Sequence, residues 1–213
     1  MKKSILLSLA LLATSLTAAE SENAFNHEFH AYDTPVNYNY GEFFVGQSNT
    51  ETIDDSALII AGGGEGMINK NWIYNLYYTG GMLDGTFYGT DYTVDTNLLT
   101  FGGSYRFALM EKLDLLVGAD LIYGWNKTSV GGISDNDSDF GFGAKTSLRY
   151  GFTPKFEGLL GLDVGHLYDS TSTSVTASLT YYFNSYVGLS GRVVETFDDL
   201  NTFTYGASVR LRF

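Results

Sequence analysis

The chain ends in YGASVRLRF (Tyr205–Phe213), and in this stretch apolar residues alternate with small or charged ones up to the last position. The apolar positions are Tyr205, Ala207, Val209, Leu211 and Phe213. Strict alternation is typical of a β-strand that has one apolar and one polar face. Because the last residues of a soluble domain usually fray, a final strand that stops on a bare aromatic residue predicts a C-terminus that is paired within a sheet.

The same alternation recurs throughout the chain beyond residue 36. It forms ten stretches, each about as long as a tilted membrane strand of roughly 9–11 residues. These are Asn37–Gln47, Ala57–Ile68, Trp72–Leu83, Asn97–Leu109, Leu113–Asn126, Asp139–Phe152, Phe156–Tyr168, Thr173–Phe183, Tyr186–Phe197 and Thr202–Phe213. In the first stretch the pattern does not decide which residues share a face.

The connections between these stretches fall into two alternating sets. Short turns lie at 69–71, 110–112, 153–155 and 184–185, whereas longer acidic connections lie at 47–56, 84–96 and 126–139. The connections at 169–172 and 198–201 belong to the second set by order but are short. Tight turns at one end and long loops at the other are typical of outer-membrane barrels. The sequence therefore predicts an all-β fold, a closed antiparallel transmembrane β-barrel of ten strands, with eight strands as the alternative.

The N-terminus has the pattern of a secretory signal. Lys2 and Lys3 precede the apolar run Ile5–Leu12, and the small residues Thr17–Ala19 follow it. We predict a signal peptide over 1–19, an N-terminal periplasmic tail over 20–36 and a barrel over 37–213, in a protein exported by a Gram-negative bacterium. The chain has no cysteine, so the hydrogen bonds of a closed sheet must replace disulfides.

The charge of the chain excludes one class of partner. It carries 12 Lys and Arg against 24 Asp and Glu, for a formal net charge of −12. A protein that binds nucleic acid needs cations to displace the counterions of the phosphate backbone. We therefore expect no nucleic-acid partner.

The orientation of the barrel wall follows from its polar rows. These rows consist of Gly, Ser and Thr with few charges, unlike the densely charged surface of a soluble protein, and aromatic residues gather at the ends of the apolar rows, as in the girdles of membrane barrels. The charges assigned to the interior nearly balance, as a narrow interior requires, because an unpaired buried charge costs several kcal/mol. The acids of this predicted interior network are Glu65, Asp114, Asp120, Glu157 and Asp163, and its cations are Arg106, Lys145, Arg149, Arg192, Arg210 and Arg212.

The last nine residues resemble the C-terminal signature of bacterial outer-membrane β-barrel proteins. They share its terminal aromatic residue (Phe213), its alternating apolar residues and its aromatic residue eight places earlier (Tyr205). The chain is similar to the small barrels of the OmpA, OmpX and opacity-protein types, which typically have eight strands. The resemblance implies residence in the bacterial outer membrane, contact with its lipid and lipopolysaccharide, and reading of the five alternating residues by the barrel assembly machinery.

The histidines do not form a catalytic or metal-binding motif. His166 stands alone on an apolar row near a strand end, and no local Ser or Asp pairs with it in the manner of outer-membrane proteases or lipid-modifying barrels. His27 and His30 lack the HExxH spacing that places two ligands on one helical face. We predict no catalytic residue and no cofactor.

The run DNDSDF, residues 135–140, resembles the start of a calcium-binding loop. Phe140 occupies the position of the sharp-turn glycine, and Thr146 occupies that of the bidentate glutamate. We therefore interpret the run as a solvated acidic loop and predict no metal site.

Three functions are compatible with this sequence. The leading hypothesis is a non-enzymatic outer-membrane barrel with a structural or surface-interaction role through its acidic extracellular loops. The alternative is a porin-like channel whose interior charges select solutes or ions. Such a channel would be narrow, because side chains just fill the interior of an eight-stranded barrel and ten strands lie close to that limit. The third is an outer-membrane hydrolase centred on His166.

Overall fold

The computed structural model describes residues 36–50, 56–198 and 201–213, and ten β-strands account for most of them. The predicted signal peptide, all but the last residue of the predicted tail, and both tail histidines lie outside these residues. The strands are β1 (Tyr40–Thr50), β2 (Ser56–Met67), β3 (Trp72–Phe87), β4 (Thr90–Met110), β5 (Leu113–Val130), β6 (Ile133–Thr153), β7 (Phe156–Leu167), β8 (Ser170–Tyr182), β9 (Val187–Phe197) and β10 (Thr202–Arg212). No helix long and apolar enough to cross a membrane occurs in the described part of the chain.

Each strand pairs antiparallel with its neighbour in sequence, and β1 pairs with β10 to close the barrel. The closing register places Phe43 opposite Val209, and the backbone N–H of Phe213 donates to the carbonyl of Asn39 at 3.1 Å. The prediction that the C-terminus is paired within a sheet is confirmed. So is the count of ten strands, and the alternative of eight is wrong.

The apolar rows face outward. Val117 and Leu148 on the outer surface are 46% and 37% exposed, whereas Arg106 and Asp114 on the inner surface are 2% and 0% exposed. A closed barrel with a band of exposed aliphatic and aromatic side chains has lipid as its solvent, and closure leaves no backbone edge unpaired within that lipid. The predicted transmembrane orientation is confirmed.

Two hairpins extend well beyond the rest of the barrel wall. Strands β3 to β6 have 16, 21, 18 and 21 residues, and the other six have 11 to 13. Pairing of β2 with β3 ends at Met82, and pairing of β6 with β7 ends at Phe142. Beyond these positions β3 to β6 continue as a four-stranded sheet outside the barrel, which we call the projecting sheet (residues 83–98 and 125–141).

The prediction of long loops at 84–96 and 126–139 is wrong, because both segments are strands joined by two-residue turns. The turns are Tyr88–Gly89 and Gly131–Gly132, and all four residues have positive φ, between 48° and 87°. Such turns match the twist of the strands that they connect. The predicted strands stopped where apolar alternation stopped, but a hairpin outside the bilayer needs no apolar face and continues on its hydrogen bonds.

Candidate functional site

An alternating chain of charges crosses the barrel interior. Glu42 on β1 accepts hydrogen bonds from Arg192 on β9 and from Arg210 on β10, the latter at 2.7 Å between Oε2 and Nη2. Arg210 also donates to Glu157 on β7, and Oε2 of Glu157 lies 3.3 Å from Nη2 of Arg212. Every charge in this five-membered chain therefore has an opposite charge beside it, which is the condition for keeping ions in a barrel interior.

A second cluster lies beside this chain. Arg106 Nε and Asp114 Oδ2 are 2.6 Å apart, and the hydroxyl of Tyr38 donates to the same carboxylate oxygen at 2.7 Å. The guanidinium carbon of Arg149 lies 4.9 Å from the centre of the Tyr38 ring, within cation–π range. Arg149 Nη2 also bonds Oε1 of Glu65 at 2.6 Å.

A third cluster is less buried and lies farther toward the projecting sheet. Lys145 Nζ lies 2.6 Å from Asp120 Oδ1 and 2.6 Å from Asn75 Oδ1. Asp163 is the register partner of Lys145 across β6 and β7. None of the ion pairs within the described ranges includes Asp163, which faces the interior cavity.

The segment before β1 closes one end of the interior. Residues 36–39 lie across the end where the C-terminus lies, and we call them the N-terminal strap. Val36 packs with Ile73 and Leu116 in a small buried apolar cluster that also contains Tyr38. The side chain of Asn39 accepts the backbone N–H of Met67 at 2.8 Å. The strap is thus anchored both by apolar packing and by hydrogen bonds to the wall.

Above the charge clusters a cavity of about 300 Å³ remains open toward the projecting sheet. Its lining includes Asn75, Tyr77, Lys145, Asp163 and Arg192. Both signs of charge are present, and the clusters below form its floor. The interior is therefore a polar pocket that is filled toward the strap.

The structure brings every predicted interior charge into these clusters or the cavity lining, but sequence reasoning missed Glu42 and Tyr38. The predicted set contains five acids and six cations, and a balanced interior called for one more acid. Glu42 is that acid. The sequence did not identify Glu42 because Phe44 also faces inward and is buried. Strand β1 therefore shows no clear alternation of apolar and polar residues. Tyr38 lies within the predicted first strand, Asn37–Gln47, but β1 begins only at Tyr40, so the start of the predicted strand is wrong and Tyr38 belongs to the strap.

Four of the five alternating residues at the C-terminus lie on the lipid-facing side of β10, and Phe213 follows directly after this strand. Leu211 lies opposite Gly41, and Ala207 lies opposite Val45 on β1. The hydroxyl of Tyr205 donates to the side-chain oxygen of Gln47 at 3.3 Å. Their reading by the assembly machinery stays a prediction.

His166 faces outward, as predicted, among apolar and hydroxyl groups. Its Nδ1 lies 3.0 Å from Oγ1 of Thr171, and its ring centre lies 5.6 Å from that of Phe142. These partners do not orient or charge an imidazole as a carboxylate would.

The acidic run on β6 bonds its own backbone. The carboxylates of Asp135, Asp137 and Asp139 each accept the N–H of the following residue, at 2.8 to 3.0 Å. Residues 133–141 pair with β5 on one side only, so these bonds satisfy donors along a free edge, where exposed N–H groups would attract another strand. No group of three or more His, Cys, Asp or Glu side chains that could hold a metal ion occurs among the described residues.

No protein-family profile matches the chain, and no curated protein does. Among solved structures, the chain is similar to the translocator domain of the autotransporter NalP from Neisseria meningitidis, with 11% identity, 99% of this chain and 98% of that chain covered, and a TM-score of 0.53. It is also similar to an outer-membrane channel from Pseudomonas putida F1, with 10% identity, coverage of 82% and 94%, and a TM-score of 0.51. These similarities concern the fold, which is that of an outer-membrane β-barrel.

Proposed function

We propose that this small outer-membrane barrel is a non-conducting, non-enzymatic scaffold that holds the projecting sheet at the cell surface for interaction with external partners. One observation carries the proposal. The interior is filled by ion pairs and by the N-terminal strap at one end, whereas four strands continue outward at the other.

The filled interior argues against transport. Ten strands lie close to the eight at which side chains fill a barrel, and the chain that runs from Arg192 through Glu42 and Arg210 crosses the remaining space. Opening a path would separate buried charges from their partners, and breaking one such pair costs about 3–5 kcal/mol. The clusters therefore stabilise a closed barrel.

The projecting sheet suits recognition because it is ordered before any partner binds. Nine residues of β6, 133–141, lie beyond its last pair with β7, and at about 3.3 Å per residue they extend roughly 30 Å. A hydrogen-bonded sheet loses less conformational entropy on binding than a loop of the same length. Rigid hairpins therefore present a fixed surface to other molecules.

The absence of enzymatic activity is part of the proposal and is supported by the surroundings of His166. Thr171 and Phe142 are its contacts, and a general base needs a group that fixes its tautomer and stabilises its charged form. His166→Ala should leave any hydrolytic activity of the purified protein unchanged. Loss of such an activity in this variant would favour the hydrolase hypothesis.

Two measurements test the proposal. Purified, refolded protein in planar bilayers should give no reproducible unitary conductance steps. A variant in which both hairpins are cut back to two-residue turns at the barrel rim should keep the heat-modifiable gel mobility of the full chain. Cells that display the cut-back variant should attach to surfaces and to each other no more than cells without the protein. Unitary steps from the native protein, or equal attachment by both forms, would overturn the proposal.

A narrow channel is the second candidate, and the cavity of about 300 Å³ favours it. One of the two similar structures is an outer-membrane channel. In this case the N-terminal strap would be the barrier, and Tyr38→Ala would loosen it. Conductance steps that arise in Tyr38→Ala and change in size on Arg192→Ala would support the channel. The absence of conductance steps in both variants would support a filled, non-conducting interior.

A further inference from the structure

The outer surface of β4, β5 and β6 changes from apolar to polar within two residues of each strand. The strand registers arrange its outward side chains in three rows. The lowest row is Leu99, Tyr123 and Phe140, the next is Asn97, Trp125 and Ser138, and the uppermost is Asp95, Lys127 and Asn136. The lowest row belongs to the aromatic girdle, so the upper rows lie at the boundary between the lipid and the external medium.

A depression of about 570 Å³ lies over the two upper rows. Asn126 and Asp137 also line it, but they lie between the two rows and their side chains point to the other face of the sheet. A volume of this size accommodates a small organic group. The depression lies on the outside of the barrel and is separate from the interior cavity.

The aromatic floor of this pocket is held in place. The Trp125 ring lies 5.5 Å from that of Tyr123 and 6.1 Å from that of Tyr78, measured between ring centres. The hydroxyl of Tyr78 donates to Asn97 Oδ1 at 2.6 Å, and Asn97 Nδ2 donates to the carbonyl of Trp125 at 3.5 Å. One ring and one amide are therefore positioned before any ligand arrives.

The remaining polar groups of the pocket are free to bind. Within the part of the chain that the structure describes, the outward side chains of Asp95, Lys127 and Asn136 form no hydrogen bond or ion pair. They offer a carboxylate acceptor, an amide that both donates and accepts, and an ammonium donor. These groups form the row directly above that of the Trp125 ring.

We propose that this pocket binds a neutral hexose unit of a glycan. The C–H face of a sugar ring packs on an indole, and its hydroxyls act as both donors and acceptors toward amides, carboxylates and ammonium groups. Phosphate and sulfate do not suit the pocket, because the carboxylate of Asp95 offsets Lys127, which is the one cation in its two rows. The inference rests on the proposed surface role and gives it a ligand class.

Two sources can supply such a sugar at this height. One is the saccharide part of a glycolipid in the same outer leaflet, and the other is a soluble or cell-bound glycan that approaches from outside. Both would use the same stacking on Trp125 and the same polar groups. The experiment therefore needs separate arms for the two sources.

The test uses the full barrel in phosphatidylcholine nanodiscs and isothermal titration with maltohexaose and a neutral galacto-oligosaccharide. At least one probe should bind saturably, and Trp125→Ala and Asn136→Ala should each weaken binding at least tenfold. Trp72→Ala is the matched control, because Trp72 is the other tryptophan of the chain and lies in the outward-facing belt near the opposite end of the barrel. Unchanged heat-modifiable mobility verifies that each variant is folded.

The second arm compares nanodiscs with and without lipopolysaccharide. In the Trp72→Phe variant the emission reports on Trp125 alone, and a shift that requires lipopolysaccharide identifies the neighbouring glycolipid as the sugar source. No saturable binding of either oligosaccharide and no shift with lipopolysaccharide would overturn the inference, as would equal weakening by Trp125→Ala and Trp72→Ala. Hairpin-dependent cell attachment that persists in Trp125→Ala would overturn the sugar site while leaving the proposed surface role intact.

Discussion

The barrel interior and the projecting sheet are built from the same ten-stranded sheet but obey different constraints. Inside the bilayer every side chain faces either lipid or a confined interior, so most outward positions are apolar and, among the described residues, every inward charge of the predicted network except Asp163 forms an ion pair. In the projecting sheet most positions meet water, and 17 of its 33 residues are Asp, Asn, Ser or Thr, with apolar residues such as Val94, Val130 and Ile133 interspersed. The comparison shows that contact with lipid imposes the apolar alternation along a strand. Outside the lipid, backbone hydrogen bonds and tight turns are sufficient for the strand to continue.

The largest expected effect concerns the closing strand. Deletion of Phe213 removes an N–H that bonds Asn39 and the aromatic end of β10, so closure of the barrel loses its last anchor. We expect most of the deleted protein to fail the heat-modifiable shift on gels. Deletion of Ser134, in the projecting sheet, should leave that shift nearly intact. Equal loss in the two deletions would show that the two regions contribute alike to assembly.

The second prediction concerns the alternating charge chain. Glu157→Ala leaves Arg210 and Arg212 without one of their partners in a buried site, and removal of one member of a buried pair costs about 3–5 kcal/mol. The free energy of unfolding, measured by urea titration in lipid vesicles, should fall by about this amount. Asp84→Ala on the outer face of the projecting sheet should change it by no more than about 0.5 kcal/mol. A similar decrease in the free energy of unfolding in both variants would show that the barrel interior and the projecting sheet contribute alike to stability.

The bilayer-spanning part of the fold could be predicted from the sequence because its constraint is local and periodic. Strand β5 illustrates this, since every second residue from Leu113 to Tyr123 faces lipid. Glu42 could not be assigned, because Phe44 fills space inside the barrel and breaks the pattern. The strap residue Tyr38 could not be found either, since its contact with Asp114 joins residues 76 positions apart.

The projecting sheet escaped prediction for a different reason. Its strands carry no long apolar row, because Thr96 interrupts the row of Tyr92, Val94 and Leu98 on β4. Its turns, at Tyr88–Gly89 and Gly131–Gly132, have only two residues and lie within polar segments. The acidic run of β6 has the composition of a loop, but its carboxylates bond their own strand. Composition alone does not distinguish these two uses of aspartate.

The third prediction sharpens the comparison at the strap. Tyr38→Phe removes one hydrogen bond to Asp114 but leaves the ion pair with Arg106 in place. We expect the free energy of unfolding to fall by about 1.5–3 kcal/mol, the net contribution of a hydrogen bond to a charged group. Tyr181→Phe on the lipid-facing surface is the matched control and should show no measurable change. A loss in Tyr181→Phe as large as in Tyr38→Phe would mean that the strap bond adds nothing specific.

The smallest effect is expected at a hairpin turn. Gly132 has φ of 87°, and an L-residue held in a left-handed conformation costs roughly 1–2 kcal/mol. Gly132→Ala should therefore open the tip of the β5–β6 hairpin and speed hydrogen exchange at Val130 and Ile133, while the barrel itself stays folded. Gly191→Ala is the control, because a Cβ at that lipid-facing position meets no atom within 4 Å. Unchanged exchange in Gly132→Ala would mean that the ladder of the projecting sheet, rather than its turn, holds the hairpin closed.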